Sequence, residues 1–235
     1  MQIDVLTPFP EMINSVSGSS IARIAAEKKL AYINALDLRQ YTTDKHKKVD
    51  NYPFGGGDGM IMMAQPFISA LEDLKSDNRR VIYPTPDGKL FNQKKAEELS
   101  KEKHLVFLCG HYKGIDQRIR DHYVDEEISL GDFVLTGGEI ASLVIIDALI
   151  RLIPGVLGTL NSAQTDSFSH PLLDCPWYTR PEEFQKMKVP DVLLSGHHAN
   201  IDAWRDEERL RKTKERRPDL YKQYIEEYIQ GDKKK

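Results

Sequence analysis

The sequence of 235 residues is long enough for one large domain, or for a main domain with a smaller one. It carries 33 Lys and Arg against 36 Asp and Glu, a formal net charge of -3, so contacts with polyanions must come from local patches. The two cysteines, Cys109 and Cys175, form no Cys-x-x-Cys pattern, which argues against a zinc ribbon and a disulfide framework and favours the reducing cytoplasm. We see neither a basic segment followed by an apolar one at the N-terminus nor a run of about 18 apolar residues, so we expect neither export nor a membrane span.

The first third of the chain predicts two strands around a helix. Ile3–Leu6 is typical of a buried strand, and the turn after it leads into a helix that we expect to run to about Lys29. Alternating apolar residues in Ala31–Leu38 predict a second strand. The glycine-dense segment Phe54–Met60 then predicts an exposed loop.

Helices and strands alternate in the next stretch. Pro66–Leu74 predicts a helix, Arg80–Tyr83 a strand, Asn92–Lys103 a charged helix capped by Asn92, and Leu105–Leu108 a strand. This alternation predicts an α/β fold with a mostly parallel sheet. Ligands of such sheets bind outside the carboxyl ends of the strands.

Two glycine-rich loops follow predicted strands. Cys109–Asp116 comes directly after Leu105–Leu108, and Ser129–Glu139 precedes a long apolar helix. Glycine lets backbone N–H and C=O groups approach a ligand closely, although an isolated Gly-Gly pair is more often a tight turn. Two such loops predict one small-molecule site lined by backbone.

The second half of the chain predicts an apolar helix, a linker and charged helices. Arg151 lies in the apolar helix Ile140–Ile153, where a guanidinium requires either an anionic partner in the protein or a polar ligand atom. We expect residues 1–157 to form the main domain, residues 158–170 a polar linker, and residues 171–235 a small, mainly helical domain.

Five segments carry a resemblance to a known family. They are Tyr52–Met60, Gly110–Asp116, Gly131–Glu139, Arg151–Gly158 and Leu173–Pro181, within a similarity that runs in order from Ile3 to about Arg217. On these segments the chain resembles the bacterial tRNA (guanine-N1)-methyltransferase family, the TrmD type of the SPOUT superfamily.

The resemblance implies more than the patterns do. It implies a deep trefoil knot in the α/β domain, one of the rare exceptions to unknotted topology, and a homodimer whose active sites lie between subunits. It also implies S-adenosylmethionine as methyl donor and N1 of guanosine 37 in tRNA as acceptor. Mg²⁺ is compatible with such an enzyme, but no motif indicates it, and we expect no protein-bound metal site.

The same resemblance implies site residues. It implies Asp166 as the general base that removes the N1 proton of guanine, and Arg151 as the residue that stabilises charge on O6. The cofactor positions are Pro86, Gly110, Tyr112, Leu130, Gly131, Asp132, Phe133, Val134, Leu135, Gly137 and Gly138. The RNA-binding positions are Gly55, Gly56, Gly57, Ser167, Arg205 and Arg209, although a solvated helix face explains the two arginines equally well.

Other functions stay open at this point. Lys113 stands where the family commonly has Glu, so a contact made through that carboxylate is in doubt. Cys109 beside Gly110 has the residue type of a nucleophile, but its apolar context favours an inert buried thiol. The chain is also compatible with a SPOUT methyltransferase acting on ribosomal RNA or a ribose 2′-hydroxyl, or with a non-catalytic RNA-binding protein.

Overall fold

A computed structural model of the protein describes residues 1–74, 76, 78–157, 166–168 and 171–230. The chain divides into two compact units, residues 1–158 and 159–235. The linker predicted over residues 158–170 lies outside the described residues, except for positions 166–168.

A five-stranded parallel sheet forms the centre of the first unit. Its order is β2-β1-β6-β5-β7, and every pairing in it is parallel, so the predicted parallel α/β class is confirmed. A separate antiparallel pair joins β3 and β4. The strands are β1 (Gln2–Thr7), β2 (Tyr32–Asp37), β3 (Asp50–Asn51), β4 (Ile61–Met62), β5 (Arg80–Leu90), β6 (His104–Leu108) and β7 (Glu126–Ser129).

The α-helices in the described part of the first unit are α1 (Pro10–Ser17), α2 (Ser20–Glu27), α3 (Ala64–Asp73), α4 (Gln93–Leu99), α5 (Gln117–Tyr123) and α6 (Gly138–Ile150). Helices α1 to α5 lie between these strands and α6 follows β7. The single helix expected before Lys29 is instead two helices, because the backbone between them is not helical: Ser19 is extended (φ -127°, ψ 164°) and Ser20 has φ 46°. The cap at Asn92 is confirmed, since its side chain accepts a hydrogen bond from the Lys95 N–H at 3.0 Å.

Both faces of the sheet are buried, because side chains alternate along each strand. Val5 and Phe107 pack on one face with the apolar side of α6, whose Ile145 and Leu149 are fully buried. On the other face, Leu6, Val106 and Leu108 pack against residues of α3 and α5. The sheet is therefore a rigid support for the loops at its edges.

The carboxyl ends of β1, β5, β6 and β7 meet at one edge of the sheet. Strand β5 is irregular there, since its pairing with β7 shifts between Pro84 and Lys89. The intervening residues leave the ladder, in the manner of a bulge. This excursion, together with the loops after β6 and β7, surrounds the candidate site.

The second unit is mainly helical, as the sequence predicts. A short hairpin of β8 (Glu183–Phe184) and β9 (Met187–Lys188) is followed by α7 (Asp191–Leu194), α8 (His198–Arg216), α9 (Pro218–Tyr224) and a π-helical stretch, Ile225–Gln230. Across the described parts of both units, no helix combines the length and apolar character that crossing a membrane requires.

Candidate active site

A cavity of about 390 Å³ opens at the carboxyl edge of the sheet. Three segments and one side chain of α5, Arg120, line it. The segments are residues 83–87 of β5, residues 110–114 after β6, and the stretch from the end of β7 to the start of α6. Its volume falls within the range of small-molecule sites. The cavity therefore lies outside the carboxyl ends of the strands, where the sequence predicts a ligand site.

The predicted cofactor residues converge on this cavity with one exception. Asp132 is exposed and does not line it. The residues that do are Pro86, Gly110, Tyr112, Leu130, Gly131, Phe133, Val134, Leu135, Gly137 and Gly138. The two glycine loops, separated in sequence by residues 117–128, therefore line one cavity together.

Close backbone packing explains the glycine at position 138. The Gly138 N–H donates to the Gly110 carbonyl at 2.9 Å. A Cβ at position 138 would lie 2.8 Å from Cys109 Cα and 3.0 Å from Gly110 N, closer than backbone atoms tolerate. The loops consequently meet through main chain, which leaves main-chain donors and acceptors to face a ligand.

A buried polar cluster under the loops was not foreseen from the sequence. The Glu139 side chain is 1% exposed, and one of its oxygens accepts a hydrogen bond from Thr7 Oγ1 at 2.5 Å. Its other oxygen lies 2.7 Å from His111 Nε2. The only sequence signal was an acidic residue in the first turn of α6, where the helix dipole favours negative charge.

A second charged cluster lies at the rim of the cavity. Arg120 pairs with Glu127 through two hydrogen bonds of 2.7 and 2.8 Å and with Asp87 at 2.6 Å, and its guanidinium lies over the Tyr83 ring at 5.5 Å. The Thr85 hydroxyl donates to Asp87. That bond, and then Arg120, lower the pKa of Asp87 to about 2. The ion pair with Arg120 and the hydrogen bond from Thr85 therefore hold Asp87, and with it the irregular part of β5, in place.

Cys109 is inert in this setting. It is fully buried, and that burial, together with the nearby Glu139 carboxylate, raises the pKa of its thiol well above the usual value. Since the thiolate is the nucleophilic form, covalent catalysis through Cys109 is disfavoured.

The glycine-dense loop before β4 joins the same region. Gly55, Gly56 and Gly57 are exposed, and the loop's end is tied to the loop after β6. The Lys113 N–H donates to the Met60 carbonyl at 3.1 Å, and the Met62 N–H donates to the Gly114 carbonyl at 3.1 Å. The exposed Lys113 side chain also lines the cavity.

The two predicted catalytic residues belong to different units. Arg151 directly follows α6 in the first unit and is half-buried, a position where the helix dipole favours a cation. Asp166 and Ser167 belong to the second unit and are also half-buried. The Ser167 hydroxyl accepts a hydrogen bond from the Asp174 N–H at 2.9 Å.

The predicted RNA-binding arginines have partners within their own unit. Arg205 lies over the Trp177 ring at 4.7 Å, and Arg209 approaches Asp174 at 3.6 Å and Asp206 at 2.9 Å. These contacts fasten the segment around Asp174 to α8. They also orient both guanidinium groups, which remain partly exposed at 33% and 23% of the side chain.

Among the residues that the structure describes, no three His, Cys, Asp or Glu side chains lie close enough together to hold a metal ion. The parallel sheet and the backbone-lined cavity outside its carboxyl ends define an α/β protein whose cavity has the size and position of a small-molecule site. A family model described as tRNA (Guanine-1)-methyltransferase TrmD matches residues 1–223. The chain belongs to this family, so the resemblance seen in the sequence is confirmed.

Individual relatives agree with the family match. Proteins named tRNA (guanine-N(1)-)-methyltransferase from Bacillus cereus (strain AH820), Bacillus anthracis (strain A0248) and Bacillus thuringiensis subsp. konkukian (strain 97-27) are each 56% identical to this chain over 223 residues. The match covers 94% of this chain and 91% of each relative.

Proposed function

We propose that this protein transfers a methyl group from S-adenosylmethionine to N1 of guanosine 37 in tRNA. The observation that carries the proposal is the convergence of two glycine loops on one cavity in a chain of the tRNA (guanine-1)-methyltransferase family. The cavity fits an adenosyl group, because main-chain N–H and C=O groups can read the edge of adenine while glycines let them approach it.

The residues proposed to hold the donor are the eleven named from the sequence. Ten of these residues line the cavity. Asp132 does not line it, but it lies in the sequence between Gly131 and Phe133, which do. When bound there, S-adenosylmethionine supplies an electrophilic methyl group on a sulfonium centre. The chain's part is to orient that group, which can contribute several kcal/mol to the rate.

Asp166 and Arg151 carry the acid–base chemistry of the proposal. Guanine N1 bears a proton in the neutral base, so its lone pair is unavailable until that proton leaves. The Asp166 carboxylate accepts the proton as general base. Negative charge then spreads onto O6 of guanine, where Arg151 donates a charge-assisted hydrogen bond.

The same proposal includes the arrangement implied by the family resemblance. Residues 1–157 form a knotted domain, residues 158–170 a linker, and residues 171–235 the tRNA-binding domain. Two copies form a homodimer with active sites between them, and the cytoplasm is the compartment. Reaching N1 requires turning the base out of its stack, and Gly55, Gly56, Gly57, Ser167, Arg205 and Arg209 are the proposed RNA contacts.

Mass analysis of nucleosides from methylated tRNA tests the proposal. The protein is incubated with labelled S-adenosylmethionine and a transcript carrying guanosine at positions 36 and 37, and a transcript with adenosine 37 is the control. We expect N1-methylguanosine from the first transcript only. Methyl on ribose, or methylation of ribosomal RNA alone, would support another SPOUT activity, and no transfer would support a non-catalytic RNA-binding role.

Asp166→Asn tests the assignment of the general base. We expect methyl transfer to fall by at least about 100-fold while the circular dichroism spectrum stays unchanged, because an amide cannot accept the N1 proton. Asp191→Asn is the matched control, since Asp191 is an exposed carboxylate in the same unit. An Asp166→Asn enzyme with the wild-type rate would remove Asp166 from the mechanism.

A further inference from the structure

Glu139 is a buried carboxylate that the proposed chemistry does not use. It accepts hydrogen bonds from Thr7 at the end of β1 and contacts His111 in the loop after β6, while its own backbone lies in the first turn of α6. One carboxylate thus joins three separate segments at the carboxyl edge of the sheet. Two of these segments are the glycine loops that wall the cavity.

His111 is held on its other sides as well. Its ring centroid lies 4.9 Å from that of Phe9 and 6.2 Å from that of Tyr112. Phe9 is fixed in turn, because its N–H donates to Thr7 Oγ1 at 2.8 Å. The His111 imidazole is therefore confined by the rings of Phe9 and Tyr112 and by the Glu139 carboxylate.

The backbone of Gly137 rests directly on this pair. A Cβ at position 137 would lie 2.3 Å from His111 Cε1 and 2.6 Å from Glu139 Oε2. The imidazole and the carboxylate therefore pack against the main chain of Gly137, which also forms an isolated β-bridge with His111 and lines the cavity. Glu139 itself does not line it, so it can act only through its neighbours.

We infer that Glu139 is a positioning residue, which holds the two glycine loops through His111 and Gly137 at the separation that admits the adenosyl ligand. The ligand's identity rests on the proposed function. The inference adds a carboxylate that never touches the ligand but determines its affinity, because pre-ordered loops spare the cost of ordering them on binding.

The chain offers a matched control at the opposite edge of the sheet. Asp4 is as buried as Glu139, and its carboxylate lies 2.6 Å from His104 Nε2. The two carboxylates thus have the same burial and the same kind of partner, but only Glu139 adjoins the cavity. Comparing Glu139→Ala with Asp4→Ala separates loop positioning from general stabilisation.

The test is calorimetric titration of the full-length variants with S-adenosylhomocysteine, at a temperature where circular dichroism shows each one folded. We expect Glu139→Ala to weaken binding roughly 10- to 100-fold. Glu139→Gln should restore most of the affinity, since its amide can still hydrogen-bond both Thr7 and His111. Asp4→Ala should bind within about twofold of wild type although its melting temperature falls.

Wild-type affinity in Glu139→Ala would overturn the inference, as would an equal loss of affinity in Asp4→Ala. If Glu139→Ala does not fold, Thr7→Val removes one donor to the carboxylate at nearly constant volume, and unchanged affinity in that variant would overturn the inference. A wild-type protein that binds no S-adenosylhomocysteine would instead overturn the proposed function, because that result concerns the ligand and not the loops.

Discussion

Strand β6 begins at a histidine that contacts a buried carboxylate, and a second histidine–carboxylate pair lies beyond its carboxyl end in different surroundings. At the amino end, His104 contacts Asp4, which also accepts hydrogen bonds from Gln2 at 2.7 Å and Asn34 at 2.9 Å. These residues belong to the neighbouring strands β2, β1 and β6, so the network joins the three strands through their side chains. At the carboxyl end, His111 and Glu139 connect loops.

The two buried histidine–carboxylate pairs can therefore have different roles. A polar network inside a sheet adds stability and defines which strands pair. A network under glycine loops can hold a ligand site open, since large side chains of those loops, Tyr112, Phe133 and Val134, are exposed and do not pack in the core. The amino edge should therefore respond to mutation in stability alone, and the carboxyl edge in stability and binding together.

The largest loss of stability is expected at the amino edge. His104→Ala removes a donor to the buried Asp4 carboxylate and also leaves Ser76 Oγ without its 3.0 Å partner. We expect the free energy of unfolding to fall by about 3 kcal/mol, measured by urea denaturation. Affinity for S-adenosylhomocysteine should not change, and a parallel loss of affinity would remove the distinction between the edges.

An intermediate effect is expected from Gly138→Ala at the carboxyl edge. The added methyl group would lie against the backbone of Cys109 and Gly110, so we expect a loss of about 2 kcal/mol in unfolding free energy together with weaker ligand binding. Gly18→Ala is the control, because the nearest atom to its Cβ would be Asn14 O at 3.9 Å. Unaltered binding by Gly138→Ala would show that the loops need not meet through main chain.

The smallest effect is expected at the rim of the cavity. The pKa of Asp87 is lowered from 3.8 to about 2, first by the Thr85 hydroxyl and then by Arg120. A lowered pKa stabilises the fold above about pH 4, and this contribution disappears as the pH falls toward 2. Because the Asp87 side chain is 63% exposed, we expect Asp87→Asn to cost less than about 1 kcal/mol at neutral pH.

Urea denaturation of wild type and Asp87→Asn at pH 7 and pH 2 measures this difference. The two proteins should converge at pH 2. In Thr85→Val, an NMR titration of Asp87 should show a higher pKa than in wild type, since the strongest hydrogen bond to the carboxylate is gone. A stability difference that grew toward pH 2 would contradict the assigned direction.

Four strands of the sheet (β1, β2, β5 and β6) and the glycine loops could be predicted because they depend on local patterns. Apolar runs indicate β1 and β6, and the glycines of residues 110–114 and 131–138 indicate close backbone approach wherever the loops lie. The apolar sequence of α6 predicts a helix with little solvent face. Its Ile145, Ile146 and Leu149 are buried, but Ile140 and Val144 are exposed, so the prediction holds for one side of the helix only.

The rest depends on contacts between distant residues. Thr7 and Glu139 are 132 positions apart, and neither has a sequence neighbour that indicates the other. The excursion of β5 after Pro84 depends on pairing with β7, a strand of only four residues whose pattern is too short to identify. The break between α1 and α2 depends on the backbone of Ser19, which is extended, and of Ser20, which has a positive φ.

A crystal structure of the protein with S-adenosylhomocysteine would show whether the carboxyl edge of the sheet holds the methyl donor. We expect density for the adenosyl group between the loops of Gly110 and Gly138, with hydrogen bonds to main-chain atoms. Density for the ligand at any other place, with this cavity empty, would contradict this expectation.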